Sequence, residues 1–316
     1  MNKLNESSMI KIFQRKLGNK KFVPEDVEIF KFDKTKIVVK TDTLVQSTDI
    51  PSKMNLVDAA RKSIIACISD FAAKGVKPSY GIVSVNVPNT ISRSKINNIA
   101  NGFKKACDEY NILILGGDTN EGKEIVFNVC IFGKTDSIVN RKGSKNGDII
   151  FVTGPFGYSS AGLRIILDKI KVKENFMKKA MKSILKPKPK LNFGLKNKKY
   201  FSASMDSSDG LSTTLHEMSK QSKKKFIINN IPTMKDVEHF ANYQKLDLNT
   251  LVFHGGEEYE FVFTVPPKYI HIIKKNAILL KTPIIEIGHV VSGKGVFVER
   301  ENKQIRLKDL GWKHFR

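Results

Sequence analysis

The sequence has few cysteines and no long apolar run, and each shortage excludes a class of protein. Three cysteines among 316 residues, an odd number without CxxC spacing, argue against a disulfide framework or a zinc site and favour a reducing compartment. No stretch approaches the ~18–20 apolar residues of a membrane helix, and residues 1–20 lack the pattern of a secretory signal. We therefore expect a cytoplasmic protein without membrane contacts.

Acidic residues are also scarce. Lys and Arg number 54 against 31 Asp and Glu, which gives a net charge of +23. Of the basic residues 46 are lysines scattered along the chain, whereas arginine, the side chain that reads bases bidentately, is rare. A dispersed lysine excess is typical of a solvated surface with a general attraction for polyanions, so we expect no specific nucleic-acid site. A basic nucleotide- or RNA-binding protein without catalysis stays open as an alternative.

Length and hydrophobic patterning predict two domains. A chain of 316 residues exceeds the usual single core. Residues 1–20 read as an amphipathic helix, and an α+β pattern follows, with strands over 37–45, 80–88, 112–119 and 124–135 and helices over 56–75 and 92–111. After a polar stretch at 140–148, a strand, a glycine turn and a helix occupy 148–167. We place the first domain at 1–140 and the second at 141–316.

Aspartates in apolar or glycine-rich surroundings are the most informative feature. Six of them fall at strand ends, in glycine turns or inside an apolar helix pattern: Asp26, Asp42, Asp70, Asp118, Asp206 and Asp209. A carboxylate in such surroundings is costly unless a cation compensates it, and Mg²⁺ is the natural partner of clustered carboxylates. At single sites plainer explanations stay open, since Asp209 could cap a helix and Asp118 could be a turn residue.

Glycine turns supply a second clue. The strand at 112–119 is expected to end in a Gly-Gly turn whose backbone N–H groups could approach a phosphate. The GPFG turn at 154–157 resembles a phosphate-binding turn before a helix, but on its own it favours a plain loop between strand and helix. The sequence has no GxxxxGK[ST] motif and no protein-kinase catalytic loop, which excludes the common nucleotide-binding folds.

Taken in order, these motifs resemble those of the thiamine-monophosphate kinases, a branch of the AIR-synthase-like superfamily of ATP-dependent enzymes. The resemblance runs from about residue 4 to residue 315 and rests on KTDTLV, SDFAAKG, GGDT, RKGSKNGD, SAGL, MDSSDGL, GGEEYEFVFT and GWKHF. SDxAAxG and GGDT belong to the whole superfamily, whereas DxSDGL, GGE(D/E)YE and the closing motif point to this branch. STDIPSKM is similar to an archaeal version.

The resemblance implies a fold and a reaction. The two-domain fold would be AIR-synthase-like, with the N-terminal domain forming a barrel with its copy in a homodimer. ATP and several Mg²⁺ ions would lie in a cleft lined by carboxylates. The γ-phosphoryl group would pass directly to the phosphate of thiamine monophosphate, giving thiamine diphosphate and ADP.

Matching the motifs position by position assigns the site residues. The metal ligands are expected to be Asp26, Thr41, Asp42, Asp70, Asp118, Asp206 and Asp209. ATP is expected to contact Gly117, Asp118, Arg141 and Ser208, and the thiamine substrate Asp49, Glu257 and Trp312. Lys40 falls where the family uses a backbone metal contact, so its side chain is expected to turn away. No catalytic residue is expected beyond the metal ligands and Arg141.

The chemistry agrees with this assignment, because a phosphate monoester is largely dianionic near neutral pH and needs no general base. Metal ions that bridge the phosphates remove the repulsion between two polyanions. Arg141 could clamp a phosphate or be a surface residue of the linker, and Trp312 could stack on the substrate or anchor the C-terminus. Glu258 or Glu260 could take the role assigned to Glu257.

Departures from the family pattern concern the substrate more than the metals. Glu25 and Glu258 stand where the family usually has Asp, Asp49 replaces the commoner His, and Tyr158 replaces an Asp after the glycine turn. A related ATP-dependent enzyme with a different acceptor, similar to aminoimidazole ribotide synthase or selenophosphate synthetase, therefore stays open. The chain lacks the Cys- or selenocysteine-bearing N-terminal segment of the latter.

Overall fold

The computed structural model describes residues 5–18, 23–301 and 303–313. The first part of the chain forms a five-stranded sheet in the order β1-β2-β5-β3-β4, in which only β3 and β4 run parallel. Its strands are β1 (Glu28–Phe32), β2 (Thr35–Val45), β3 (Lys77–Val87), β4 (Leu113–Glu121) and β5 (Val126–Lys134). The helices are α1 (Glu6–Lys16), α2 (Gln46–Asp49), α3 (Leu56–Lys74) and α4 (Arg93–Tyr110).

The second part forms a seven-stranded sheet in the order β12-β11-β8-β10-β6-β9-β7, with β8 and β11 parallel and the other pairs antiparallel. Its strands are β6 (Ile149–Val152), β7 (Ala203–Asp206), β8 (Lys225–Ile228), β9 (Phe261–Val265), β10 (Ile285–Val291), β11 (Gly295–Arg300) and β12 (Lys303–Arg306). The helices are α5 (Tyr158–Leu167), α6 (Glu174–Leu185), α7 (Leu191–Asn197), α8 (Leu211–Ser222), α9 (Lys235–Tyr243) and α10 (Ile270–Leu279), and residues Thr250–His254 form a single π-helical turn.

Helix α3 joins the two sheets. It begins at Asn55, whose side chain accepts the Asp58 N–H, and it ends at Gly75, whose φ of 64° favours glycine. The helix packs on β2 and β5 of the first sheet and on β7 and β9 of the second. One buried cluster accordingly contains Phe71 of α3 together with Phe263 of β9. Side chains of α3 can therefore reach a site built from both sheets.

The regular elements agree with the sequence predictions, and the main differences involve glycine. The helix predicted at 56–75 is observed as Leu56–Lys74. The expected turn at Gly116–Gly117 is wrong, because β4 continues through both residues to Glu121. A Cβ on Gly117 would lie 1.7 Å from the Val83 carbonyl oxygen, so glycine is needed for close pairing of two strands rather than for a turn.

Short elements and the chain ends account for the remaining differences between the predicted and the observed structure. Strand β1 and helices α2, α7, α9 and α10 are absent from the sequence prediction. The predicted N-terminal helix is observed as Glu6–Lys16, and parts of the expectations for 1–20 and for the closing motif lie outside the described residues. The proposed boundary at 140–141 falls between β5 and β6 and stays a prediction. Within the described ranges, none of the helices has the length and apolar character to cross a membrane.

Candidate functional site

A cavity of about 550 Å³ lies between the two sheets. The first sheet contributes the end of β2 together with α2, and α3 forms the base. The second part contributes the start of α5, the loop after β7, the π-helical turn and the GGEEYE loop. Eight of the residues predicted from the motifs line this cavity: Asp42, Asp49, Asp70, Asp206, Ser208, Asp209, Glu257 and Trp312.

Three buried carboxylates meet at the base of the cavity, where Asp70 and Asp206 belong to the lining and Asp26 lies buried beside them. Asp26, Asp70 and Asp206 each offer an oxygen within 4.8 Å of the others, although they lie far apart in the sequence. Burial raises the pKa of Asp70 well above its usual value, and burial together with the charge of Asp26 raises the pKa of Asp206 to about 7. Such a cluster is unfavourable by itself, and its all-oxygen donor set suits a hard cation such as Mg²⁺.

Lys40 differs from the sequence expectation. Its Nζ lies 2.9 Å from Asp70 Oδ2 and 3.7 Å from Asp42 Oδ2, so the side chain turns into the acidic cluster rather than away from it. The alternation of a β-strand explains this, because residues 40 and 42 of β2 point to the same face. Given Asp42 as a predicted metal ligand in a strand, the alternation of side chains therefore predicts that Lys40 points to the same site.

Asp26 is held by two cations that bracket its carboxylate. Arg141 donates to Oδ1 of Asp26 from Nε at 2.7 Å and from Nη2 at 2.5 Å. The Nζ of Lys74 lies 3.0 Å from Oδ2. Burial alone would raise the pKa of Asp26, but the charges of these two residues bring it below its usual value. Arg141 is therefore part of the buried site rather than a surface residue of the linker, and Lys74 was missed by the sequence analysis.

Three predicted residues lie elsewhere in the single chain. Thr41 and Asp118 share the face of the first sheet that points away from α3, as the strand pairing shows. Asp118 is exposed and accepts a hydrogen bond from Asn120 at 2.8 Å. Gly117 packs against β3. The structure of one chain does not bring these residues to the buried carboxylates, and their roles stay predictions.

The same cavity is lined by the three residues predicted to hold the thiamine substrate. Asp49 ends α2, and its carboxylate accepts the Val45 N–H at 2.7 Å. Glu257 lies 2.5 Å from the Nζ of Lys62 and has a φ of 61°, a strained conformation for a non-glycine residue. Trp312 is 54% exposed at the rim. An aromatic ring and two carboxylates at one opening suit a flat cationic ligand.

Glu258 and Glu260, the alternatives to Glu257, are used elsewhere. Glu258 is buried, and its Oε1 accepts the N–H groups of Gly157 at 2.7 Å and Ser159 at 3.1 Å. Burial raises its pKa to about 8. Glu260 accepts the Thr153 hydroxyl at 2.6 Å. The start of α5 is thus already bonded to a side chain of the protein, which favours the plain-loop interpretation of GPFG.

Comparisons with known proteins show the family of the chain. Residues 24–135 match the family described as AIR synthase related protein, N-terminal domain. Over the full length of both chains, the sequence is 65% identical to the thiamine-monophosphate kinase of Nitrosopumilus maritimus. It is 31% identical to that of Pyrococcus horikoshii, over 100% of this chain and 98% of the relative.

Solved structures are similar as well. AaThiL complexed with AMPPCP and TMP superposes with a TM-score of 0.87 at 27% identity, covering 99% of this chain and 97% of that one. The thiamine monophosphate kinase of Aquifex aeolicus gives a TM-score of 0.81 at 25% identity, over 94% of this chain and 97% of that one. The chain belongs to the thiamine-monophosphate kinase family.

Proposed function

We propose that this chain transfers the γ-phosphoryl group of ATP directly to the phosphate of thiamine monophosphate. The observation that carries the proposal is the cavity with a buried triad of carboxylates at its base and an aromatic, acidic rim. A similar solved structure holds AMPPCP and TMP, which are an ATP analogue and the expected acceptor. Family membership and site geometry therefore support the same reaction.

The metal end of the site would neutralise the negative charge of the two reacting phosphates. Asp26, Asp70 and Asp206 together with Asp42 are the residues that would hold Mg²⁺, with Asp209 on the same cavity wall. Bound Mg²⁺ supplies charge neutralisation and in-line alignment of two phosphates. Lys40 stands beside these carboxylates and compensates their charge. The acceptor phosphate is already a nucleophile, so no general base is required of the chain.

The acceptor end would recognise a flat cation. Trp312 would stack on the rings of thiamine, since its indole lies half exposed at the opening. Asp49 and Glu257 would place their carboxylates near the thiazolium charge and the amino group of the pyrimidine. On the nucleotide side, Ser208 lines the same cavity, and Arg141 would reach a phosphate from its position beside Asp26.

A homodimer through the first sheet would complete the assembly. The face of this sheet that points away from α3 exposes apolar side chains, with Leu113 60%, Tyr80 49% and Ile82 42% exposed. A second copy would bury this face and close the barrel that the family resemblance implies. Thr41 and Asp118 lie on the same face. These two predicted ligands would therefore contact the nucleotide and its metal at the interface with the second copy.

Product analysis tests the reaction. The purified protein is incubated with ATP, Mg²⁺ and thiamine monophosphate, and we expect equal amounts of thiamine diphosphate and ADP. Formation of ADP only with another acceptor would instead support a related enzyme of the superfamily. No turnover, combined with RNA binding that weakens steeply with salt, would favour the non-catalytic alternative.

A further inference from the structure

Helix α3 carries a lysine that is completely buried behind the acceptor end of the cavity. Lys62 has no exposed surface. Its Nζ lies 2.5 Å from Glu257 Oε1 and donates to the backbone carbonyl oxygen of Asp49 at 3.2 Å. A buried ammonium group is costly and persists only where partners compensate it. Both partners here belong to the expected acceptor site, and they come from different parts of the chain.

Of the two partners of Lys62, Glu257 depends on it more, because α2 is also hydrogen-bonded to residues 124–125. Glu257 has its side chain 34% exposed and lies in an irregular loop, with φ at 61°, where its N–H donates to the Ser208 carbonyl oxygen. Asp49 ends a helix of four residues. If no fixed charge lay beside it, a glutamate with three side-chain torsions would sample several rotamers. The ammonium group of Lys62 selects one carboxylate position and ties α2 to the same point.

We propose that Lys62 is a positioning residue for the acceptor: from behind the cavity wall it fixes the Glu257 carboxylate and the end of α2 in the geometry that receives the thiamine head group. It does not touch the substrate, because its side chain is fully buried and acts through the two residues that do line the cavity. The inference rests on the proposed function, since it assigns Asp49 and Glu257 to acceptor binding.

Binding of the acceptor alone tests the inference. The chain has one tryptophan, Trp312 at the cavity rim, so its fluorescence reports thiamine monophosphate binding without turnover. We expect Lys62→Met to weaken this binding and raise the acceptor KM by roughly ten- to a hundredfold, as for the loss of a residue that orients a metal ligand. The KM for ATP should change less than about twofold. Lys62→Arg keeps the charge and should restore most of the acceptor affinity.

A matched control and a double variant separate positioning from stability. Lys104→Met removes an exposed lysine paired with Asp108 and should change neither affinity nor melting temperature. If Lys62 acts through Glu257, the effects of Lys62→Met and Glu257→Gln on acceptor affinity should be strongly non-additive. Should Lys62→Met fail to fold, Lys62→Gln, which removes the charge but keeps a polar hydrogen-bond donor, takes its place in the comparison with Glu257→Gln.

Three outcomes would overturn the inference: unchanged acceptor affinity with a lower melting temperature, equal losses for ATP and acceptor, or additive effects in the double variant. Failure of the proposed function has a different signature, because the wild-type protein would then form no thiamine diphosphate. The fluorescence titration of the acceptor still reports on Lys62 in that case.

Discussion

Asp206 is a buried carboxylate that is costly for the fold and that we propose as a metal ligand of the site. Its pKa of about 7 results from burial and from the neighbouring charge of Asp26. We expect Asp206→Asn to lower turnover by two to three orders of magnitude, because several kcal/mol of charge stabilisation by a metal correspond to that factor. Mn²⁺ binding followed by electron paramagnetic resonance should weaken in parallel.

The fold of this variant should be intact. At pH 8 without metal, the neutral amide removes repulsion within the cluster, so the melting temperature should equal or exceed that of the wild type. Asp108→Asn, at an exposed residue paired with Lys104, is the control and should leave rate and Mn²⁺ binding unchanged. A fully active Asp206→Asn protein would remove this carboxylate from the site.

The raised pKa of Glu258 predicts a pH dependence of stability that does not involve the metal cluster. Its pKa rises from 4.5 to about 8 in the folded state, chiefly through burial. Between these two values the folded protein binds a proton that the unfolded chain has released, so stability falls as the pH rises from about 4.5 to about 8. Glu258→Gln should abolish this part of the slope, since the amide stays neutral and can still accept from Gly157 and Ser159.

Melting temperatures measured across this pH range check the prediction. The variant should be more stable than the wild type at pH 8, and the difference should shrink toward pH 4.5. Glu174→Gln, in an exposed glutamate of α6 paired with Lys178, should retain the wild-type profile. Parallel profiles for Glu258→Gln and wild type would show that Glu258 is ionised in the fold at neutral pH.

At the scale of elements, the contact between α7 and α3 depends on one glycine. A Cβ on Gly194 would lie 1.9 Å from the Ala72 carbonyl oxygen, a distance that only movement of a helix could relieve. We expect Gly194→Ala to lower the melting temperature by roughly 5–10 °C, the effect of a few kcal/mol in a chain of this size. Asn192→Ala, at an exposed position of the same helix, should change it by less than about 2 °C. Equal melting temperatures for the two variants would show that α7 does not approach α3 so closely.

Elements with strong periodicity were predictable from sequence, and those that depend on a distant partner were not. The pattern of α3 gave its bounds to within a residue, because Asn55 and Gly75 are local start and stop signals. Gly116–Gly117 misled, since glycine serves a turn and a close strand pair equally well. No local pattern distinguishes Lys62 and Lys74 from exposed lysines of a helix, because their partners lie elsewhere in the chain.

The site was predictable to the same degree. Family motifs identified the carboxylates that meet at the base of the cavity and Arg141 beside them, but not the lysines that compensate these carboxylates. Lys40 is the exception that could have been placed, because strand alternation puts it beside Asp42. Thr41 and Asp118 show the opposite limit: the motifs single them out, but strand pairing places them on the face of the first sheet that points away from the buried carboxylates.

At the scale of the whole molecule, the outward face of the first sheet determines whether the chain works alone. Leu113→Glu places a charge among the apolar side chains of that face, so it should convert a dimer to monomers in sedimentation equilibrium. Ile278→Glu, at an 80% exposed residue of α10, should leave the association state unchanged. A monomeric wild-type protein, or a Leu113→Glu variant that still dimerises, would contradict the proposed assembly.

Activity of the monomer then decides what the dimer contributes to the chemistry. Thr41 and Asp118 point to the same side as Leu113 and away from the buried carboxylates, so a site that uses them requires the face to be covered by a second copy. We expect Leu113→Glu to lose phosphoryl transfer while acceptor binding, followed by Trp312 fluorescence, persists, because the acceptor end lies on the other side of the sheet. Cys130 lies on the same outward face and should react faster with a maleimide in the monomer. A monomer with full activity would restrict the nucleotide and metal ligands to residues of the cavity in one chain.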